Sequence, residues 1–194
     1  MATSTRERIL DVAMDLFGQH GFKSTSIVQI EKAAGLSEGS GGIYHHFRNK
    51  QALLEAGIER HLGRLDALRD IQQILTGLAD LHSELTVLGR YTLAVLDSEA
   101  ALLRIVLTEA RTRPDLVGSA TDQLISATYS GFATWLRDRA DLTAERAEAI
   151  AVVGFGSLIS SRLLRLLLDR DPVPIDDNVL VSTWVEMVHT QITA

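Results

Sequence analysis

Two short apolar repeats of helical spacing, separated by Gly35-Leu36-Ser37, lie within residues 27–47, and this pairing constrains the fold more than any other feature of the chain. Ile27, Ile30 and Ala34 form the buried side of the first, which Ser26 and Gln29 open at capping-box spacing and Gly35 stops. The second is turn-like from Ser37 and helical from about Ser40, with Ile43 and Phe47 four apart on one face. A helix carrying Ile9, Val12, Ala13, Leu16 and Phe17 precedes both, capped by Ser4 with Glu7 and ended by Gly21. After Phe47, Asn49 caps a long amphipathic helix with Leu53, Leu54, Ile58, Leu62, Leu65 and Leu68 on its apolar side. Two short helices joined by a tight turn form a helix-turn-helix, whose second helix fits a DNA major groove.

Beyond residue 72 the helical period persists, with breaks at Asp97-Ser98, Arg113-Pro114, Asp141-Leu142-Thr143 and Asp171-Pro172-Val173-Pro174. Helices are therefore expected near 75–96, 99–111, 114–139, 143–169 and 175–192. Alternating β-branched runs, internal repeats and flexible linkers are absent from the sequence. The expected fold is all-α. A three-helix helix-turn-helix domain over 1–50 is joined by a long helix to a larger helical domain over 51–194.

The formal charge of −6 disfavours nucleic acid until it is divided by region. Residues 1–50 carry six Lys/Arg against five Asp/Glu, a net of +1, and residues 51–194 carry thirteen against twenty, a net of −7. With no cysteine, disulfides, thiolate metal sites and cysteine nucleophiles are excluded. Charges at Arg6, Glu7, Arg8 and Asp11 interrupt any signal-peptide core, and no unbroken apolar run reaches spanning length, so the expected location is the cytoplasm, away from membranes. Nucleophile elbows, HExxH and phosphate loops are missing, which argues against an enzyme and against a cofactor. His45 and His46 are adjacent, diverge by about 100° on a helix and have no third ligand at metal spacing, so no metal is expected. A protein adaptor working through the Leu-rich segment near 163–168 is the remaining alternative; its binding would lack a steep salt dependence.

On the second short helix, Gly41 and His45 stand about 200° from Ile43 and face a groove. Tyr44 and Ser40 flank that face, where hydroxyls can donate to phosphate oxygens, and Lys50 adds a charge beside unpaired backbone N–H groups.

These residues resemble the tetracycline-repressor (TetR) family. The match runs through Arg8-Ile9-Leu10-Asp11, Leu16-Phe17, Gly21-Phe22, Thr25-Ser26, Ile30, Ala34-Gly35-Leu36-Ser37, Ile43-Tyr44-His45-His46-Phe47, Asn49-Lys50 and Ala52-Leu53-Leu54. The resemblance implies that Thr25, Ser26, Tyr44 and Lys50 contact phosphates, while residues around Ser37 to Gly41 and His45 read bases. It also implies a homodimer on a palindromic double-stranded operator, usually a repressor released by a small-molecule effector. One departure stands out: six residues, Glu38 to Ile43, separate Ser37 from Tyr44 where many members have four. Three of the six are glycine, which costs roughly 1 kcal/mol each inside a helix, so the turn rather than the helix is expected to be longer.

In the larger domain, Ala147, Ala151, Gly154 and Ser161 line one side of a helix. With Trp184 and Val188 of the last helix, they are the expected dimer interface. Tyr91, Arg104, Tyr129, Phe132 and Trp135 are the expected lining of an effector pocket.

Overall fold

The computed structural model describes residues 4–37, 39, 41–75, 80–122, 126–171 and 173–193, without the side chains of 65–75, 116 and 119. Among the described residues there is no strand. The elements are α1 (Thr5–His20), α2 (Ile27–Ala33), a 3-10 turn (Gly42–His45), α3 (Lys50–Leu75), α4 (Leu81–Ser98), α5 (Ala100–Glu109), α6 (Pro114–Thr121), α7 (Ala127–Arg137), α8 (Ala144–Leu168) and α9 (Asp177–Thr193). Of the single helix expected over 114–139, α6 and α7 are described, and residues 123–125 between them lie outside the described residues.

The chain forms two compact units, Met1–Arg64 with Glu99–Thr121, and Leu65–Ser98 with Asp122–Ala194. α5 packs on α1 and α6 on α5, which brings residues 99–121 into the first unit.

In the first unit, α1 buries Ile9, Leu10, Ala13, Met14 and Phe17. Its caps are local: the Ser4 hydroxyl accepts the Glu7 N–H at 3.2 Å, and the Gly21 N–H closes onto Phe17 O at 2.9 Å. On α2, Ser26 and Gln29 complete a reciprocal capping box. The other end closes through Leu36 N–H to Glu31 O at 2.8 Å, over Gly35 at φ +67°. Buried Glu99 joins the start of α5 to α3, accepting from His61 Nδ1 and lying 3.6 Å from Arg64.

The second unit has an aromatic centre. Phe132 meets Phe155 edge-on at 4.5 Å between centroids, stacks on Trp135 at 5.6 Å and lies 6.1 Å from Trp184. Arg162, itself buried, pairs with Asp97 at 2.9 Å and Asp177 at 2.7 Å, tying α8 to the end of α4 and the start of α9.

The small-residue stripe does not face outward as expected for a dimer interface. Ala147, Ala151, Gly154, Trp184 and Val188 are all buried within the second unit, and Ser161 is partly buried with its hydroxyl on Leu158 O. The cause is local: the Trp184 indole N–H donates to Gly154 O at 2.9 Å, which requires α9 to approach α8 at its smallest residues. Helical spacing sorts residues onto a face but does not say what covers that face.

A similar close approach occurs on α4, where a Cβ at Gly89 would stand 3.1 Å from both the Trp184 ring and the Val181 side chain. Gly89→Ala should gain about 1 kcal/mol of helix propensity and lose about 1–3 kcal/mol to overpacking. The expected net result is a loss on the order of 1 kcal/mol in a urea melt; a stabilised variant would contradict this packing.

Helix α8 is long and apolar enough to cross a membrane by length and composition, with a mean hydropathy of 1.6 over its best window. Counting unbroken apolar runs misses it because Gly154, Gly156, Ser157, Ser160, Ser161 and Arg162 interrupt the run. The core helix of a globular unit passes the same test, and α8 supplies Ile150, Phe155 and Leu158 to the core of its unit.

Candidate nucleic-acid interface

The element after the turn is shorter than expected. Gly41 adopts φ +72° and the 3-10 turn begins only at Gly42, so the glycine-rich segment lengthens the turn rather than a helix. Ser40, one of the expected contacts, lies outside the described residues, as does Glu38. The turn is seated from one side by Ile43, fully buried, and by Phe47, nearly so. Both the His46 and the Phe47 N–H return to Ile43 O at 2.9 Å. On the opposite side Tyr44 is 55% exposed. His45, His46, Arg48 and Ser37 are also exposed, and Gly41 is half-buried. The arrangement can therefore present a phenol and imidazoles on a rigid, buried base.

The other expected contacts divide. Ser26 is exposed, and its hydroxyl oxygen accepts the Gln29 N–H at 3.2 Å while its own hydrogen remains able to donate. Thr25 does not face a groove: it is 1% exposed, and its hydroxyl donates to Gly21 O at 2.9 Å and Leu16 O at 3.1 Å. It closes the α1–α2 corner from inside. The Lys50 ammonium likewise turns inward, donating to Phe22 O and Thr25 O at 2.8 Å each and lying 4.4 Å from the Phe22 ring centroid. Burial, then the nearby Arg113 charge, holds its pKa below the ordinary lysine value. Two of its three donors are already used on carbonyls, a tertiary arrangement that spacing along the sequence does not reveal.

Phe22 is held from a distant stretch of chain as well. Its N–H donates to Glu109 Oε1 at 3.3 Å, and the Arg113 guanidinium lies 4.5 Å from its ring centroid. Sequence reading did not place Glu109 or Arg113 beside this corner, and no local pattern marks them. Glu31 was also missed, yet a signal for it exists: it falls four residues after Ile27 and three before Ala34, on the buried side of α2.

The expected pocket residues do not form one group. Tyr129, Phe132 and Trp135 join the aromatic centre of the second unit, Tyr129 edge-on to Phe155 at 6.4 Å, and Tyr91 lies on α4 of that unit. Burial raises the pKa of the Tyr129 phenol. Arg104 belongs to the first unit, on α5, where it borders Gly18 of α1.

A buried miniature core presenting one exposed polar turn is the arrangement of a helix-turn-helix. Residues 9–56 match the family described as bacterial regulatory proteins, tetR family. Over these residues the chain is similar to transcriptional regulators of the TetR family. It is 28% identical over 118 residues to the uncharacterized HTH-type transcriptional regulator YvkB of Bacillus subtilis, covering 61% of this chain and 59% of that one. It is 52% identical over 52 residues to the regulator AcrR of Shigella flexneri, covering 27% and 23%. With the HTH-type transcriptional repressor KstR2 of Mycolicibacterium smegmatis it shares 30% over 113 residues, covering 58% and 53%. The chain thus spans less than two thirds of the length of these curated relatives. The fold extends further: a transcriptional regulator from Aquifex aeolicus superimposes with a TM-score of 0.67 at 24% identity, covering 96% of this chain and 99% of the other.

Proposed function

We propose that this chain binds a palindromic DNA operator as a homodimer, acting as a repressor that a small-molecule ligand releases, in the cytoplasm. The observation that carries the reading is the exposed Tyr44–His45 pair backed by buried Ile43 and Phe47. Dimerisation is supported by an uncovered apolar face on α8 (Val152, Val153, Leu164, Leu167) continued by Val179 and Met187 on α9, all exposed in the single chain. Lone exposed apolar residues are ordinary, but a stripe of them along adjacent helices marks an association surface. This face, not the buried stripe containing Gly154, is the one offered to a second copy. Ligand release is supported by the repressor naming of one relative and by the aromatic centre around Phe132, where a ligand that rearranges the rings would have packed helices to move.

Fluorescence anisotropy on duplexes from the DNA upstream of the chain's own gene tests the DNA reading. The logarithm of the association constant should fall steeply with the logarithm of salt. Tyr44→Ala should weaken binding on the order of tenfold or more, the loss of one hydrogen bond to a charged phosphate. Binding with no salt dependence, or an unchanged affinity for Tyr44→Ala, would overturn it.

A further inference from the structure

Glu31 is 0% exposed, the one carboxylate on a two-turn helix otherwise anchored by Ile30. Its Oε2 accepts the Gly39 N–H at 2.9 Å, reaching across eight residues into the glycine-rich turn. Its Oε1 is buried as well and has no hydrogen-bond partner among the described residues. An apolar side chain of similar volume would fill this position without desolvating a polar group, so the carboxyl is expensive here unless its one bond matters.

What that bond holds is a glycine with no side chain to pack. Gly39 sits at φ +70°, is exposed, and a Cβ built on it meets nothing within 4 Å, so no packing defines its place. Two residues later Gly41 is again left-handed, at φ +72°. The 3-10 turn that follows has no side-chain cap. Glycine turns of this kind have many accessible backbone states, and one of them must be selected from outside. Ile43 and Phe47 fix the far end of the turn by burial. At the near end Glu31 holds Gly39.

We infer that Glu31 is a positioning residue for DNA recognition: by holding Gly39 it selects one conformation of the lengthened turn and so sets the angle at which Tyr44 and His45 are presented. The inference rests on the DNA-binding reading above. It assigns the turn's extra length a compensating device in the helix before it, and it places sequence discrimination partly in a residue that touches no base.

The test uses the full chain, a 30-bp duplex selected by the wild type from a random pool, and a scrambled duplex of the same composition. Glu31→Met fills the site without an acceptor; Glu31→Gln keeps one. Glu31→Met should melt as a folded protein by circular dichroism and bind the scrambled duplex within about twofold of wild type, while its preference for the selected duplex falls at least tenfold. Glu31→Gln should retain that preference within about twofold. In the free protein, amide exchange at Gly39 should be at least tenfold slower than in an unstructured glycine for the wild type and Glu31→Gln, and should approach the unprotected rate in Glu31→Met. A folded Glu31→Met with undiminished preference overturns the proposal, as does a Glu31→Gln that loses as much as Glu31→Met. Unprotected Gly39 in the wild type overturns it even if the methionine variant fails to fold. A wild type that selects no duplex overturns the DNA reading instead, and the Gly39 exchange rates still decide whether Glu31 holds the turn.

Discussion

Replacing Phe47 with alanine is expected to cost the first unit about 3–5 kcal/mol, the usual range for deleting a buried ring, and to abolish selective DNA binding before the chain is fully unfolded. Phe47 is 5% exposed, accepts the stacking of the Arg6 guanidinium 5.1 Å from its centroid, and is hydrogen-bonded through its N–H to Ile43 O. With the ring gone, the 3-10 turn loses one of the two buried side chains that seat it, Ile43 being the other, and Tyr44 and His45 lose a defined direction. A urea melt measures the stability and anisotropy on a selected duplex measures the binding. A variant with the wild-type midpoint would show that the ring is not part of the packed base described here.

The double substitution Asp97→Asn with Asp177→Asn is expected to be comparably damaging to the second unit, by about 3–5 kcal/mol. The two carboxylates are half-exposed and lose little themselves, but Arg162 between them is buried and would keep its charge without compensation. Burial alone would push the guanidinium's pKa down; the hydrogen bonds and charges of Asp177 and Asp97 outweigh it and hold it up. The companion Arg162→Met should be much milder, since it removes the buried charge and leaves two carboxylates able to face water. Acid is a gentler version of the same experiment. The Asp177 carboxyl is held below the ordinary range chiefly by its hydrogen bond from Arg162. Its contribution is therefore complete above about pH 4, the unfolded value, and is lost as pH falls through the lower folded value. Melts across that window should be flatter in the double variant.

What the sequence made legible was local. The caps at Ser4 and at Ser26 with Gln29 connect residues three apart, and Ile43 with Phe47 lie one helical turn apart; such features carry their own geometry wherever they occur. The lengthened turn was legible too, because three glycines in six residues resist a helix. What escaped depends on contacts between distant stretches. Thr25 and Lys50 have the chemistry of phosphate ligands, but their polar atoms are directed to carbonyls supplied by Leu16, Gly21 and Phe22. The stripe of Ala147, Ala151 and Gly154 has the spacing of a contact face, and the contact it makes is with α9 of the same chain. Glu31 lay on a readable face but reads as a polar residue at a tolerant edge unless its partner, Gly39, is known.

The membership of α5 and α6 in the first unit bears on how portable the helix-turn-helix head is. The family match ends at residue 56, and a graft between relatives would naturally be cut near there. Such a cut leaves behind Ala101, whose carbonyl lies against Gly18, and Glu109, which receives the Phe22 N–H. The head is a discontinuous piece of chain, and a chimera that is to keep its shape must carry residues 99–121 together with the first 64.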